Sequence, residues 1–554
     1  MKQPDSRTPH AWAWWLIIAL ACVAGIFTRL YQLHGQMLID DEWHALRKLL
    51  ESDAVGIATH FGYADYCIPL TLYYRWLFGL GLLNEWQMHL PLLIAGMATP
   101  IALPWLLRRE LPLSVRATWI GLLAISPALI YYSRTARPYA LIALLGPAAI
   151  LAFRNWQRDR NAWRRWLPVY VAATWVAGWL HLLSLVFTLW PFAFYGTIAL
   201  RNCAGMQTRA RGWKDLVALI GLGLCVVFGL ALLLAPPILH DWASMKAKSG
   251  AASVTPGSLY DTLLLQFGIA NAWLCPVLVG LFLYGVVLSW RRDRELATLI
   301  LSGCIGGGST ICLAHPAWIH HAAVLVRYAA PVLPFLLLFL AQGMAGLVER
   351  ISAPLAPALS LASLAALIAA GPLASWMHWP NQFIGHARFQ FDYTPNNPYL
   401  TLLQLGPMPD FFRELAQRPP GSVTLIETPR RAESNFMPDP WYQQLHRQNV
   451  KYALAGPVCG MGGWDIVPSL RGAQFHRIVE LDEVIAGAHH GGDYLVMNLV
   501  PWTLPPGKAF PRKVEWPDMA ACVDKVSTQL GAPVFRDEQI AVFALSKSAK
   551  SPSP

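Results

Sequence analysis

Apolar runs alternate with arginine clusters along the first two-thirds of this chain, and that alternation constrains the fold more than any other feature. The clusters stand at Arg108/Arg109/Arg116, Arg154/Arg158/Arg160/Arg164/Arg165, Arg201/Arg209/Arg211/Lys214, Arg291/Arg292/Arg294 and Arg350. Basic loops stay on the cytoplasmic side of a membrane, so the chain must cross an even number of times between successive clusters. A crossing helix needs about 20 apolar residues, about 17 at the least. Residues 115–153 therefore read as a hairpin with "YYSRTARPY" (Tyr131–Tyr139) at its outer tip. Residues 167–200 give two short spans turning near His181, and 215–290 two spans around an outer loop at 236–270. Residues 296–347 give two more, with "HPAWIHHAAVLVRY" (His315–Tyr328) outside, and 354–376 exit once.

Composition agrees. Of 554 residues, 55% are hydrophobic and 14% charged, against about 25% charged in soluble domains. The net charge of +11 belongs to basic cytoplasmic loops rather than to nucleic-acid binding, and the tryptophans suit interfacial belts. At the N-terminus, Lys2 and Arg7 precede "AWAWWLIIALACVAGIF", which resembles a signal peptide with an "ALA" site ending at Ala21. The apolar run continues to Phe27, which favours an uncleaved anchor.

Parity decides the first loop. Three apolar runs, 12–30, 66–84 and 89–107, precede Arg108. Three crossings would put Arg108 and Arg109 on the wrong side. "YCIPLTLYYRWLFGLGLLN" (Tyr66–Asn84), with Pro69 and Arg75 inside it, is therefore expected to lie on the outer face as an interfacial helix. The expectation is 11 spans in a polytopic α-helical membrane protein, N-terminus in and C-terminus out. The acids of "LIDDEWHALRKLL" (Leu38–Leu50) then sit in the first outer loop, 31–88.

After Trp379 polar residues rise and helix and strand signals alternate. "PDFFRELAQRPPG", "PWYQQLHRQN" and "MAACVDKVSTQLG" read as helices. "SVTLIET", "VKYALAG" and "DYLVMNLV" read as strands, and "APVFRD" with "IAVFALS" as a terminal hairpin. That pattern suggests an α/β domain on a mostly parallel sheet. The expected division is a membrane domain over 1–376 and an extracytoplasmic domain over 377–554. "GPVCGMGGW" (Gly456–Trp464) lacks the spacing of a phosphate loop. The nine cysteines show no metal spacing. A Cys459–Cys522 pairing is compatible with an extracytoplasmic location but not fixed by spacing.

Four groups of chemistry-bearing residues fall on the outer face. They are Asp40, Asp41 and Glu42; Asp65; Arg134 and Arg137; and His320, His321, Arg327 and Tyr328. His181 and Tyr139 lie at neighbouring tips. Such a set suits a reaction at a lipid phosphate. A phosphate leaving group needs cations, and arginine forks match its oxygens. An acceptor hydroxyl needs one positioned carboxylate as base, worth about 10²–10⁴-fold. A glycosidase, whose leaving group is an alcohol, needs two. Solvated loop acids, and arginines anchored among headgroups, remain open readings. The histidines lack metal-ligand spacing.

Taken in order over residues 12–347, several stretches resemble the GT-C glycosyltransferases. These include the protein O-mannosyltransferases and the transferase that puts aminoarabinose on lipid A. The stretches are "DDEWHALRKLL", "CIPLTLYYRWLFGLGLLNEWQMHLPLLIAGMATPIALPWLLRREL", "SPALIYYSRTARPYALIALL" and "VRYAAPVLPFLLLFLAQGMAGL". The resemblance implies an inverting transferase of the bacterial inner membrane that uses a polyprenyl-phosphate sugar. It places the catalytic acid on Asp41, with Asp40 and Glu42 as support and a second acid nearest Asp65. It turns Arg134, Arg137 and Arg327 towards the lipid phosphate; from their place on the outer face, Tyr328 is added to the phosphate site, and His181, His320, His321 and Tyr139 are candidates for support. The chain departs from the family where Cys67-Ile68-Pro69 replaces His-Pro-Pro and His89 replaces an arginine. Members differ in metal use, so a divalent metal stays open. The alternative class is a lipid-linked sugar transporter or a non-catalytic lipid-binding protein. A transporter should carry its acids within spans near the midplane, and these spans carry few.

Overall fold

The computed structural model describes residues 11–545 apart from 32, 34–37, 39–41, 43, 48, 50–51, 65, 248–249, 251–252, 269–271, 317–318, 320–321, 372, 374–408, 430–441, 444–445, 455, 460–477 and 500–517. Apolar composition and helix length set the first part of the fold. Helix α1 spans Ala11–Leu30, followed by the short α2 (His44–Arg47), α3 (Ala54–Thr59) and α4 (Ile68–Gly79). Helix α5 is Glu85–Leu106, α6 Leu113–Ile125, α7 Pro127–Ser133, α8 Tyr139–Arg158 and α9 Trp163–Leu180. Next come α10 (Leu185–Thr188), α11 (Trp190–Ala204), α12 (Arg209–Ala247) and α13 (Pro256–Phe267). The bundle ends with α14 (Cys275–Arg292), α15 (Arg294–Ala314), α16 (Ala322–Tyr328), α17 (Leu333–Ile351) and α18 (Ala356–Ala370).

Among the described residues, eight helices are long and apolar enough to cross a membrane, or nine if the bent pair α6–α7 is one span. The other two expected spans fall on α9 and α18. Helix α9 is 18 residues long and opens on Arg164 and Arg165, and α18 has only 15 residues. Helix α9 misses that measure by composition, yet it returns the chain from the Arg158 end of α8 to His181 beside Tyr139, and the expected exit segment 354–376 runs past α18 into residues outside the described set. Helix α4 has 12 residues, roughly 18 Å of rise, too little to cross. Trp76, Leu80, Leu82 and Trp86 at and beyond its end are exposed, as an interfacial segment requires. The loop expected from 236 begins later. Helix α12 carries Pro236 and Pro237 within it, breaks its helical geometry only at Asp241 and runs on to Ala247.

Small residues let the helices approach. A Cβ on Gly285 of α14 would fall 1.7 Å from the Phe339 carbonyl of α17, and one on Gly343 would fall 1.8 Å from the Leu281 carbonyl. The arginine-rich end is tied by ion pairs. Arg154, fully buried, binds Glu110 Oε2 at 2.8 Å and also Asp293. Arg158 binds Asp293 at 2.8 Å and Glu295 at 3.1 Å. Burying an arginine is costly unless its charge is paired or its N–H groups are hydrogen-bonded.

The second part centres on a six-stranded sheet of order β3-β2-β1-β4-β6-β5. Its strands are β1 (Thr424–Thr428), β2 (Asn449–Leu454), β3 (Ile478–Glu480), β4 (Tyr494–Asn498), β5 (Phe535–Arg536) and β6 (Ile540–Ala544). β3, β2, β1 and β4 run parallel, with Leu425 opposite both Val450 and Tyr494. β6 joins antiparallel to β4, and β5 to β6. Helices α19 (Asp410–Ala416), α20 (Gly456–Cys459), α21 (Leu481–Ile485) and α22 (Met519–Leu530) accompany it. β1 and β4 are nearly all buried, which explains why they read as continuous apolar runs. Cys459 of α20 and Cys522 of α22 form a disulfide.

Candidate functional site

The site grows from a helix break. Helices α6 and α7 are bent by 55° because Pro127 cannot donate to the preceding turn. Ser126 caps α7 by accepting from Leu129 N at 3.4 Å. The break leaves carbonyls at the end of α6 without helical donors. Arg29, fully buried at the end of α1, supplies them. Its Nη1 donates to Ala124 O at 3.0 Å, its Nη2 to Leu123 O at 3.3 Å and its Nε to Ser133 Oγ at 3.2 Å. Arg134 answers in the other direction, with Nη1 donating to Thr28 O at 3.0 Å and Tyr31 O at 2.7 Å at the end of α1. Gly96 of α5 makes the approach feasible, since a Cβ there would lie 1.9 Å from Ser133 Oγ.

This clamp fixes the turn between α7 and α8, residues Arg134 to Pro138. Ala136 is held on both sides. Its N–H donates to Glu42 Oε1 at 2.7 Å, and its carbonyl accepts from Tyr74 Oη of α4 at 3.2 Å. Glu42 is 1% exposed and also meets His89 Nε2 of α5 at 3.1 Å. His89 Nδ1 lies 2.6 Å from the Glu85 carbonyl. The first loop is thereby pinned to the turn through one carboxylate.

Beside this pin lies an aromatic and cationic cluster. Arg327 of α16 sits 5.7 Å from the ring centres of Tyr139 and Tyr328. His181, at the tip between α9 and α10, lies 5.9 Å from Tyr139 and 5.6 Å from Tyr328. Tyr132 packs 5.1 Å from Tyr139. Loss of solvation holds His181 below its usual range, and the charges of Arg327 and Arg137 push it further down. His181 is therefore neutral, and the positive charge resides on the arginines. Arg137, Arg327 and Tyr328 are half-buried, a setting in which guanidinium groups can bind an anion with little competition from water.

Those expected site residues that lie among the described ones thus meet at one end of the bundle. Helix α8 runs from Tyr139 in the site to Arg158 in the ion-pair network, about 30 Å away. Glu42, Arg134, Arg137, Tyr139, His181, Arg327 and Tyr328 are all placed in or beside the site. Asp40, Asp41, Asp65, His320 and His321 lie outside the described residues. Among the described residues no group of three His, Cys, Asp or Glu side chains could hold a metal ion. Arg29 and Tyr74 were missed from sequence. The signal for Arg29 was a single arginine at the end of an apolar run, belonging to no basic cluster.

No protein-family model matches the sequence, and no curated protein sequence matches it. Solved structures do. ArnT from Cupriavidus metallidurans in the apo state aligns with a TM-score of 0.50 at 15% identity, over 98% of this chain and 100% of that one. ArnT from the same organism bound to undecaprenyl phosphate gives 0.44 at 16% identity, over 97% and 99%. The oligosaccharyltransferase AglB from Archaeoglobus fulgidus, in complex with an inhibitory peptide and a dolichol-phosphate, gives 0.42 at 12%, over 89% and 70%. With a helical bundle closed by the α1–α6–α7 clamp and followed by a small sheet, the chain carries the GT-C membrane fold of ArnT.

Proposed function

We propose that the protein is a membrane glycosyltransferase that moves a sugar from a polyprenyl-phosphate donor to an extracytoplasmic acceptor, with inversion at the anomeric carbon. The observation that carries this reading is the meeting of the Glu42 loop, the Arg137 turn, the His181 tip and the Arg327–Tyr328 helix at one end of a bundle with this fold. Arg137 and Arg327, with Tyr328 beside them, bind the donor phosphate. Asp41 takes the acceptor's hydroxyl proton, and the oxygen attacks the anomeric carbon from the face opposite the phosphate. The carbon–oxygen bond to the phosphate breaks, and polyprenyl phosphate leaves as an anion that needs no proton. Glu42, engaged by Ala136 and His89, holds the loop that carries Asp41. Arg134 works through the carbonyls of α1, which set the turn. Asp65 is assigned as a second acid, and His320 and His321 as supporting residues.

In this reading residues 1–376 form the catalytic membrane domain and 377–554 an extracytoplasmic α/β domain. The Cys459–Cys522 disulfide supports that orientation, because structural disulfides persist in oxidising compartments. The test is purified protein with a panel of polyprenyl-phosphate sugars, scoring release of polyprenyl phosphate. Release with at least one donor, abolished by Asp41→Asn, is the expected result. Binding of donors with no release from any would favour the non-catalytic lipid-binding reading.

A further inference from the structure

Helix α12 is longer than a membrane is thick. Its 39 residues rise about 58 Å, against about 30 Å of hydrocarbon. Its last turns grip the chain between α3 and α4. His240 Nδ1 lies 3.1 Å from Thr59 O, and its ring stacks on that of His60 with centres 4.5 Å apart. Gly62 N donates to Asp241 Oδ2 at 3.1 Å. Tyr66 Oη and Ser244 Oγ share a hydrogen bond at 2.8 Å. His240 and Ser244 stand at the i, i+4 spacing that puts two side chains on one face of a helix.

One residue of the gripped segment has a backbone that tyrosine rarely adopts. Tyr66 has φ 61°, in the left-handed region, where a Cβ crowds the following carbonyl oxygen. Its neighbours hold it there. Tyr66 N donates to Phe61 O at 2.9 Å, and Cys67 N to Ala64 O at 2.8 Å. The rings of Phe61 and Tyr66 stack with centres 5.6 Å apart. Thr71 Oγ1 of α4 donates to the same Ala64 carbonyl at 3.0 Å. A strained residue persists only where its surroundings over-determine it, and such residues gather at functional sites. Helix α4 begins at Ile68, just beyond Tyr66, and it carries the Tyr74 hydroxyl to the Ala136 carbonyl in the site.

We propose that Tyr66 is a positioning residue: its left-handed turn, clasped through Ser244 to the end of α12, sets how α4 meets the Arg134–Pro138 turn. The clasp makes α12 a second anchor for the first loop, beside the one that Glu42 makes to Ala136. Displacing the end of α12 therefore moves α4, Tyr74 and the turn together.

The proposal rests on the glycosyltransferase reading only for its effect on turnover, and two arms of the experiment use the purified full chain with no donor. Thermal unfolding compares Tyr66→Gly with Tyr66→Ala. Both lose the ring, and only alanine keeps a Cβ in the left-handed region, so Tyr66→Gly should melt at the higher temperature. Equal melting, or a more stable Tyr66→Ala, would overturn the strained turn. Hydrogen exchange in α4 and in residues 134–138 is then followed in Tyr66→Phe, Ser244→Ala and the double variant. Each single variant should speed exchange there by roughly 2- to 10-fold, the worth of one neutral hydrogen bond, and the double variant by no more than the larger single. Tyr66 has further interactions, and the double-mutant cycle isolates its pairing with Ser244 from them. Additive effects, or equal acceleration in α15, would overturn the clasp. The activity arm uses a polyprenyl-phosphate sugar that the wild type turns over. Both single variants should lower kcat by roughly 2- to 10-fold with donor KM nearly unchanged, and Ser244→Thr, which keeps the hydroxyl, should restore it. Unchanged kcat beside accelerated exchange would sink the positioning role. A wild type that turns over no donor fails the glycosyltransferase reading, while the first two arms still decide the turn and the clasp.

Discussion

Arg29 Nη1 donates to the carbonyl oxygen of Ala124 at 3.0 Å, joining the end of α1 to the end of α6 across 95 residues of sequence. Arg134, just past α7, donates back to Thr28 and Tyr31, so Arg29 caps the end of α6 and Arg134 caps the end of α1. The bend at Pro127 is thus held by side chains rather than by the helical ladder, and it is this bend that delivers the Arg134–Pro138 turn to the site.

Arg29→Met should therefore destabilise the protein strongly. The carbonyls of Leu123 and Ala124 would lose their donor in a dry interior, at about 1–3 kcal/mol for each orphaned group. Arg29→Lys should recover only part of the loss, because one ammonium cannot reproduce a three-nitrogen fork. Thermal unfolding in detergent measures both. Equal melting of Arg29→Met and wild type would mean that the clamp does not hold the break.

Arg137→Gln and Arg327→Gln should each weaken binding of polyprenyl phosphate by roughly 10- to 100-fold, the range expected for loss of a hydrogen bond to a charged group. Melting temperatures should change little, since both side chains are half-buried beside the site. Arg134→Gln should show the opposite pattern, lower stability with donor affinity falling only as the turn loosens. Isothermal titration with polyprenyl phosphate, alongside melting curves, distinguishes them. Lost affinity at full stability for Arg134→Gln would put that guanidinium on the phosphate itself.

The sequence made the membrane fold legible because hydropathy and arginine placement report on the bilayer, which acts on every span alike. It made the site's neighbourhood legible because loops that share a face must share a surface. Pairings across the bundle were not legible. That His89 meets Glu42, 47 residues away, depends on how α5 is rotated, which periodicity does not fix. Arg29 was hidden for a related reason, since an arginine at a span end reads as a headgroup anchor until the bend in α6–α7 brings carbonyls to it. In the C-terminal sheet region the longer segments were readable. β3 and α21 were not, because three and five residues are too few to show a period.

Cys459→Ser should destabilise the C-terminal sheet region. The disulfide spans 63 residues of sequence, and closing a loop of that size is worth about 4 kcal/mol by chain entropy. Hydrogen exchange in α20 and α22 should accelerate in the variant, while exchange in α1 and α6 stays unchanged. Uniform acceleration through the membrane helices would show that the two parts unfold together.

His446 gives the same sheet region an acid sensitivity. Its ring is fully buried and lies 5.5 Å from that of Phe412, nearly parallel to it. Nδ1 accepts from Gln448 N at 3.0 Å, so the neutral ring carries its proton on Nε2. That atom has no hydrogen-bond partner among the described residues. Loss of solvation lowers the pKa from 6.5 to about 3. The unfolded chain therefore binds the proton first as pH falls, and stability must fall with it. The contribution is fully present above about pH 6.5 and is lost progressively towards pH 3, at about 1.4 kcal/mol per unit. His446→Phe keeps the stacking but orphans the Gln448 N–H, so its baseline should be lower at every pH. Its slope between pH 6.5 and 4 should nevertheless be shallower, because nothing at this position can then take up a proton. Hydrogen exchange of β1 and β2 amides, corrected for intrinsic rates, reads the local stability at each pH. Parallel slopes in the two proteins would place the acid sensitivity on other groups and leave the buried ring a packing residue.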